Sequence, residues 1–544
     1  MPANHELQTV DAKLELVHLH LIHLRRWRNL VFAPLLRLPI ELIHEIFVRA
    51  VKLSFHGGRF WVNLTGICHH IREALIYSPF PWRIINAKSI PLAKLFLERC
   101  NFDPRALFVM DRLFSPFSKA TDKSQLWREL EGRTLNDLRF FMFRGLKDDF
   151  EHNVVDFLRR APNLTTLEIE TRSPMTWNLQ WNIDDQLPHL TMLRLNQVGI
   201  NWDAPILRNL TKLILTFSSV WSPQKFTSIP MFLSVLRNCP DLECLHLVCA
   251  GPDPESDAGD DSEIVQLHKL KELFLYSDER PVLQCILSYI WFPGSTNVQV
   301  EAECRSGPWA TLSEILPPPN AAISKNLQKT TTIAIEFDSH SYQLATDNFR
   351  LLLHPEYEED PQPPDPEIVP LFVSKVVDII GRDTVIALCM KFALPCTITE
   401  GVWKELLHGF PRLKVISYDP SFEWGADYVD PFCSAFSQPF EGGLVCPRLC
   451  ALRIPWSFTQ GSSVVSLKQT LLARAACGRQ LKKISFSRDM GRGEIALLQP
   501  FKDAADKISR FYVPTWRLLK PVGSFLEKND SPGELSYLIP TTDP

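Results

Sequence analysis

The chain has 544 residues, 45% hydrophobic and 22% charged, which makes it globular and long enough for more than one domain. A formal charge of -4 gives no reason to expect nucleic acid or an anionic membrane as a partner. No stretch approaches ~18 uncharged apolar residues, and Glu6, Asp11 and Glu15 ahead of the first apolar run do not fit a secretory signal.

Thirteen cysteines, an odd number with no CxxC pair, leave no ligand set for a RING or zinc ribbon. Reduced thiols in a cytoplasmic or nuclear chain are the expectation. There is no GxGxxG, P-loop, nucleophile elbow or HExxH word, so neither a cofactor nor an enzymatic activity is expected.

Residues 1–33 carry LELVHLHLIHLRRWRNL, dense in Leu14, Leu16, Val17, Leu19, Leu21, Leu24 and Trp27. This predicts a helix, apolar on more than one side, packed on the segment that follows. Of His18, His20 and His23, only the last two share a helix face, and no Cys or carboxylate completes a metal set.

Residues 34–84 hold two apolar stripes at helical spacing. The first runs through Leu38, Leu42, Ile43, Ile46 and Phe47, with Pro39 at a first-turn position where its missing N–H costs nothing. Gly57-Gly58 interrupts, and a second stripe follows at Phe60, Leu64, Ile67, Cys68, Ile71 and Leu75. Pro79, Trp82 and Ile84 form an apolar tail. A unit of ~50 residues is below the size that usually makes a self-sufficient core. Periodicity alone leaves open whether it packs on its own chain or on another.

The wording Leu38-Pro39, Glu41-Leu42, Ile46-Phe47, Cys68-His69-His70-Ile71-Arg72 and Pro79-x-x-Trp82 resembles the F-box over residues 34–90. The resemblance implies docking onto the Skp-type adaptor of a cullin–RING ubiquitin ligase. It implies adaptor contacts by Leu38, Pro39, Leu42, Ile43, Ile46 and Phe47, and further ones by Cys68, Ile71, Pro79 and Trp82. Ile71 stands where the family often has Trp, which loses aromatic area but keeps the position apolar.

Residues 91–130 read as a helical linker. Over 131–500 the phrase L-x-x-L-x-L recurs, at Leu190-x-x-Leu193-x-Leu195, Leu210-x-x-Leu213-x-Leu215, Leu242-x-x-Leu245-x-Leu247 and Leu270-x-x-Leu273-x-Leu275 among others. Several copies open on a Pro-x-Leu word, as at Pro162, Pro188, Pro240, Pro411 and Pro447. Each alternating part predicts a short strand with one buried face, and helical patterns lie between. One such unit cannot bury its apolar face alone, so copies must stack. This resembles the irregular leucine-rich repeat that often follows an F-box. Acidic loops are expected at 253–263 and 354–370, and a cap and tail at 501–544.

The fold expectation is therefore α/β: a small all-α F-box-like unit, then an irregular leucine-rich-repeat solenoid of short parallel strands with helices on its convex side. Outward strand positions include Ile214, His246, Val248, Phe274 and Tyr276, apolar or aromatic where solvent alone would favour polar residues. They mark either the seat of a target protein or a patch covered by the chain's own loops. The functional expectation is a substrate-recognition subunit of an SCF-type ligase, with a Skp-type adaptor, a cullin reached through it, and an unknown target protein as partners. The alternative is a non-catalytic leucine-rich-repeat scaffold outside ubiquitination.

Overall fold

In a computed structural model the described residues are 2–32, parts of 38–110, 137–142, most of 158–486, 501 and 505–510. Phe47, Cys68 and Pro79 lie outside the described residues, as do most of both acidic loops and 511–544. The chain forms two compact units, one reaching to Arg194 and one beginning at Leu195.

The first unit opens on helix α1 (Pro2–Phe32). The helix is as predicted, but most of its apolar side chains stay exposed, with Ile22 and Val31 half-buried. Leu14, Leu16, Val17, Leu19, Leu24 and Trp27 are all exposed, Leu16 to 70%. The reason lies in their spread: residues on all sides of a helix cannot share one buried stripe.

Helical turns follow at 40–46, then α2 (His69–Tyr77), a tight turn at Phe80–Arg83 and strand β1 (Ile84–Ala87). Helix α3 (Ile90–Arg99) leads to β2 (Ala106–Met110), and β3 (Asp137–Met142) and β4 (Thr166–Thr171) come next. β1 pairs in parallel with β2, β2 with β3 and β3 with β4. The described residues of the expected helical linker at 91–130, which end at Met110, are therefore not a linker. They contain a helix and a strand of the parallel ladder, which begins at Ile84 rather than at 131. The signal was missed because Ile84-Ile85 and Leu107-Phe108-Val109 are short apolar runs without the repeated leucine phrase.

The unit boundary falls inside β5 (Met192–Asn196). The second unit continues with β6 (Lys212–Thr216), helix α4 (Ile229–Arg237), β7 (Cys244–Val248), β8 (Glu272–Ser277), α5 (Arg280–Tyr289) and β9 (Asn297–Cys304). Ser228 caps α4 by accepting from Met231 N at 3.4 Å, and Pro230 sits where its missing N–H is harmless.

The Pro-x-Leu word turns out to be a reverse turn. In each copy the leucine N–H donates to the carbonyl of the residue before the proline: Leu164 to Ala161, Leu190 to Leu187, Leu242 to Cys239, Leu413 to Phe410 and Leu449 to Cys446, at 3.0 to 3.2 Å. Proline suits the second turn position because its φ is preset there. The leucine is buried and the strand starts two residues later. In β6–β8 Leu213, Leu245 and Leu273 lie in one row and Leu215, Leu247 and Leu275 in another, all within 1% of full burial.

Beyond β9 strand order departs from chain order. Helices α6 (Pro308–Ile315) and α7 (Ala322–Leu327) lead to β10 (Thr332–Phe337), β11 (Tyr342–Thr346) and β12 (Phe349–Pro355). β12 pairs in parallel with β9, while β11 runs antiparallel to both β12 and β10. The turn between β11 and β12 explains the placement. Asp347 accepts from Thr331 N and Oγ1 at 2.8 and 2.9 Å, at the foot of β10. Asn348 O accepts from Val298 N at 2.8 Å, at the foot of β9.

The ladder resumes from β10. Helix α8 (Ile368–Ile379) leads to β13 (Ala387–Phe392), α9 (Glu400–Gly409) to β14 (Val415–Pro420), and α10 (Val429–Ser437) to β15 (Ala451–Ile454). Helix α11 (Ser462–Ala476) leads to β16 (Leu481–Phe486), and β17 (Ala505–Arg510) closes the series. Each pairs in parallel with the one before, β13 with β10. The repeat region thus extends to Arg510, past the expected boundary at 500, because a strand with Ala505 and Ile508 as its apolar residues carries no leucine phrase. Both units are mixed α/β with a parallel-rich sheet, and no helix among the described residues is long and apolar enough to cross a membrane.

Candidate partner-binding surfaces

The first surface lies on the helical turns at 40–46. Pro39 O accepts from Leu42 N at 3.0 Å and Ile43 N at 3.1 Å, which starts the helix directly after the proline. Leu42 and Ile46 are four residues apart and share a face, 45% and 41% exposed. Ile40 is exposed as well, Pro39 is exposed and Leu38 half-buried.

Three other predicted contact residues turn inward. Ile43 is fully buried, and Ile71 and Trp82 nearly so. Trp82 stacks edge-on against Phe96 of α3, ring centroids 5.0 Å apart. These three belong to the chain's own core and offer no surface to an adaptor. Their apolar character satisfies either role, which is why spacing could not separate them. Ile40 was not singled out from the sequence, because at two residues from Leu42 it lies off the helix face that Leu42 shares with Ile46.

The second surface is the side of the β6–β9 sheet opposite the buried leucines. Ile214, His246 and Phe274 stand in register across β6, β7 and β8, as do Thr216, Val248 and Tyr276. All five predicted target residues are half-buried. His246 meets Phe274 edge-on at 5.6 Å, and its Nε2 lies 3.8 Å from Glu272 Oε2. Tyr276 donates to Glu303 Oε1 at 3.5 Å, and burial pushes its phenol above the ordinary value. The next strands extend both rows to Gln299 and Arg350, and to Glu301 and Leu352. His354 Nε2 lies 3.9 Å from Glu301 Oε2. The face is thus aromatic over β7 and β8, and Glu301 and Glu303 form an acidic end that also holds Arg350 and His354. The acidic end escaped sequence reading because β9 (NVQVEAEC) contains no leucine.

No protein-family profile matches the chain, and no curated protein matches it. Among solved structures, the chain is similar to one in the crystal structure of the Rad7 and Elc1 complex in yeast, at 10% identity and a TM-score of 0.23. The alignment covers 76% of this chain and 94% of that one.

Proposed function

We propose that this chain is a substrate-recognition subunit of an SCF-type cullin–RING ubiquitin ligase. The observation that carries the reading is the uncovered face of Leu42 and Ile46, directly after Leu38-Pro39, at the head of a stacked parallel ladder. Isolated exposed apolar residues are ordinary, but Leu42 and Ile46, one turn apart on the same helix face, form an apolar strip for a partner helix. A Skp-type adaptor would close over that strip. A target protein would lie on the half-buried aromatic row at Ile214, His246 and Phe274. The chain would contribute proximity: it raises the effective concentration of a target lysine near the conjugating enzyme and makes no bond itself.

The test is co-purification of the full chain with a Skp-type adaptor, repeated with Leu42→Glu plus Ile46→Glu. Both side chains are exposed, so the double variant is expected to keep its melting temperature and lose the adaptor. Adaptor binding retained by the double variant removes this face from the interface. No binding by the intact chain leaves a leucine-rich-repeat scaffold as the reading.

A further inference from the structure

The solvent side of β7 and β8 brings together three side chains of different chemistry. Cys244 and His246 are two residues apart on one strand, so both side chains emerge on the same face. Glu272 stands directly opposite Cys244 on the next strand. The Cys244 Sγ, a His246 ring nitrogen and a Glu272 carboxylate oxygen all lie within 4.8 Å of one another. Cys244 is buried, and His246 and Glu272 are half-buried. From the coordinates we infer that Cys244, His246 and Glu272 form a three-ligand zinc site, its fourth position open toward the face that carries Phe274 and Tyr276.

The chemistry selects the ion. One thiolate, one imidazole and one carboxylate form a borderline-soft set suited to Zn²⁺ and unsuited to Mg²⁺ or Ca²⁺, which take oxygen ligands. Three protein ligands with one open position match sites in which water or a partner's side chain completes the tetrahedron. Ligand atoms around tetrahedral zinc are ~3.3–3.7 Å apart, from bonds of ~2.0–2.3 Å. The His246–Glu272 pair, at 3.8 Å, is already near that value. The remaining closure is about 1 Å, within reach of rotamer adjustment on a fixed strand pair.

Two groups oppose or assist. Lys212, in register with Cys244 on β6, is exposed and places a positive charge nearby. Its charge favours the thiolate, while burial and Glu272 hold the thiol protonated, up to about 12. Loading therefore releases the thiol proton to solvent. The site does not depend on the adaptor reading, since none of its residues belongs to the 40–46 patch.

The test uses the full chain, stripped of metal by chelator and titrated with Zn²⁺ against a chromogenic chelator, then with Co²⁺ as an optical probe. The expected results are one ion per chain and a thiolate-to-cobalt charge-transfer band with tetrahedral visible absorption. His246→Gln and Glu272→Gln are each expected to weaken Zn²⁺ by more than about tenfold with an unchanged melting temperature of the metal-free chain. Cys244→Ser is expected to abolish the charge-transfer band, and Cys477→Ser, at an exposed position, to leave it intact. Absence of Zn²⁺ binding by the intact chain, absence of the band, or a Zn²⁺ affinity in His246→Gln and Glu272→Gln unchanged from that of the intact chain overturns the assignment. The two polar variants decide the matter even if Cys244→Ser fails to fold.

Discussion

Arg474 shows what a single side chain does in this stack. It is 2% exposed, donates from Nη1 to Val445 O at 2.8 Å and from Nη2 to Cys446 O, and lies 4.8 Å over the Phe436 ring. Cys446 has a φ of 47°, a left-handed backbone that turns these carbonyls away from a regular ladder. The guanidinium supplies the donors that the irregular turn needs. Arg474→Met keeps the volume but orphans both carbonyls. It is expected to cost about 2–4 kcal/mol, read from urea unfolding. Nearby thiols give a pH signature. Burial pushes Cys433 and Cys446 from an ordinary 9.0 up to about 12. Raised folded values mean that their contribution is complete below pH 9 and lost between about 9 and 12, where only the unfolded thiols ionise. The midpoint of urea unfolding is expected to stay level across neutral pH and then fall as pH climbs above 9. Cys433→Ala plus Cys446→Ala is expected to make that fall shallower, with the similarly raised Cys239, Cys244 and Cys285 accounting for the remainder.

Among the elements, the leucine rows and the turns that feed them were legible, because buried alternation and a Pro-x-Leu turn leave a spoken pattern in sequence. Leu245, fully buried between Leu213 and Leu273, is such a position. Leu245→Ala is expected to cost about 2–5 kcal/mol in the same unfolding measurement. Helix approach was not legible. Gly409 ends α9 against α8, where an added Cβ would meet Val377 Cγ1 at 2.5 Å. Gly→Ala in a helix normally gains about 1 kcal/mol, but overpacking against a stiff β-branched neighbour costs about 1–3. Gly409→Ala is therefore expected to lower the melting temperature, and Gly409→Ala with Val377→Ala to restore it. The strands β1, β2 and β17 escaped because they lack the leucine phrase. The exposed face at 40–46 was half legible: Leu42 and Ile46 stand exposed on it, whereas Ile43, Ile71 and Trp82 turn inward. The pairing of Cys244 with Glu272 follows from aligning the leucine phrases of β7 and β8, whereas the approach of the His246 ring to both depends on side-chain packing that no linear spacing encodes.

At the scale of the second unit, the antiparallel β11 separates two parallel runs. Val298 meets Phe349 and Thr332 meets Ala387 over nearly twice the chain separation that joins Leu245 to Leu273. Longer closures form later, since their entropy cost comes before their contacts. In a refolding experiment with pulsed hydrogen exchange, amides of β6–β8 are expected to be protected before those of β12 and β13. Simultaneous protection would mean that the central meander belongs to the nucleus.

That meander also limits how such a protein can change length. Where neighbours in space are neighbours along the chain, a duplicated or deleted repeat leaves its flanks free to rejoin. Here β13 rests on β10 while β9 rests on β12, so the span from Thr332 to Pro355 is indivisible. Evolution, or an engineer, can add and drop units on either flank, yet must inherit the middle block whole.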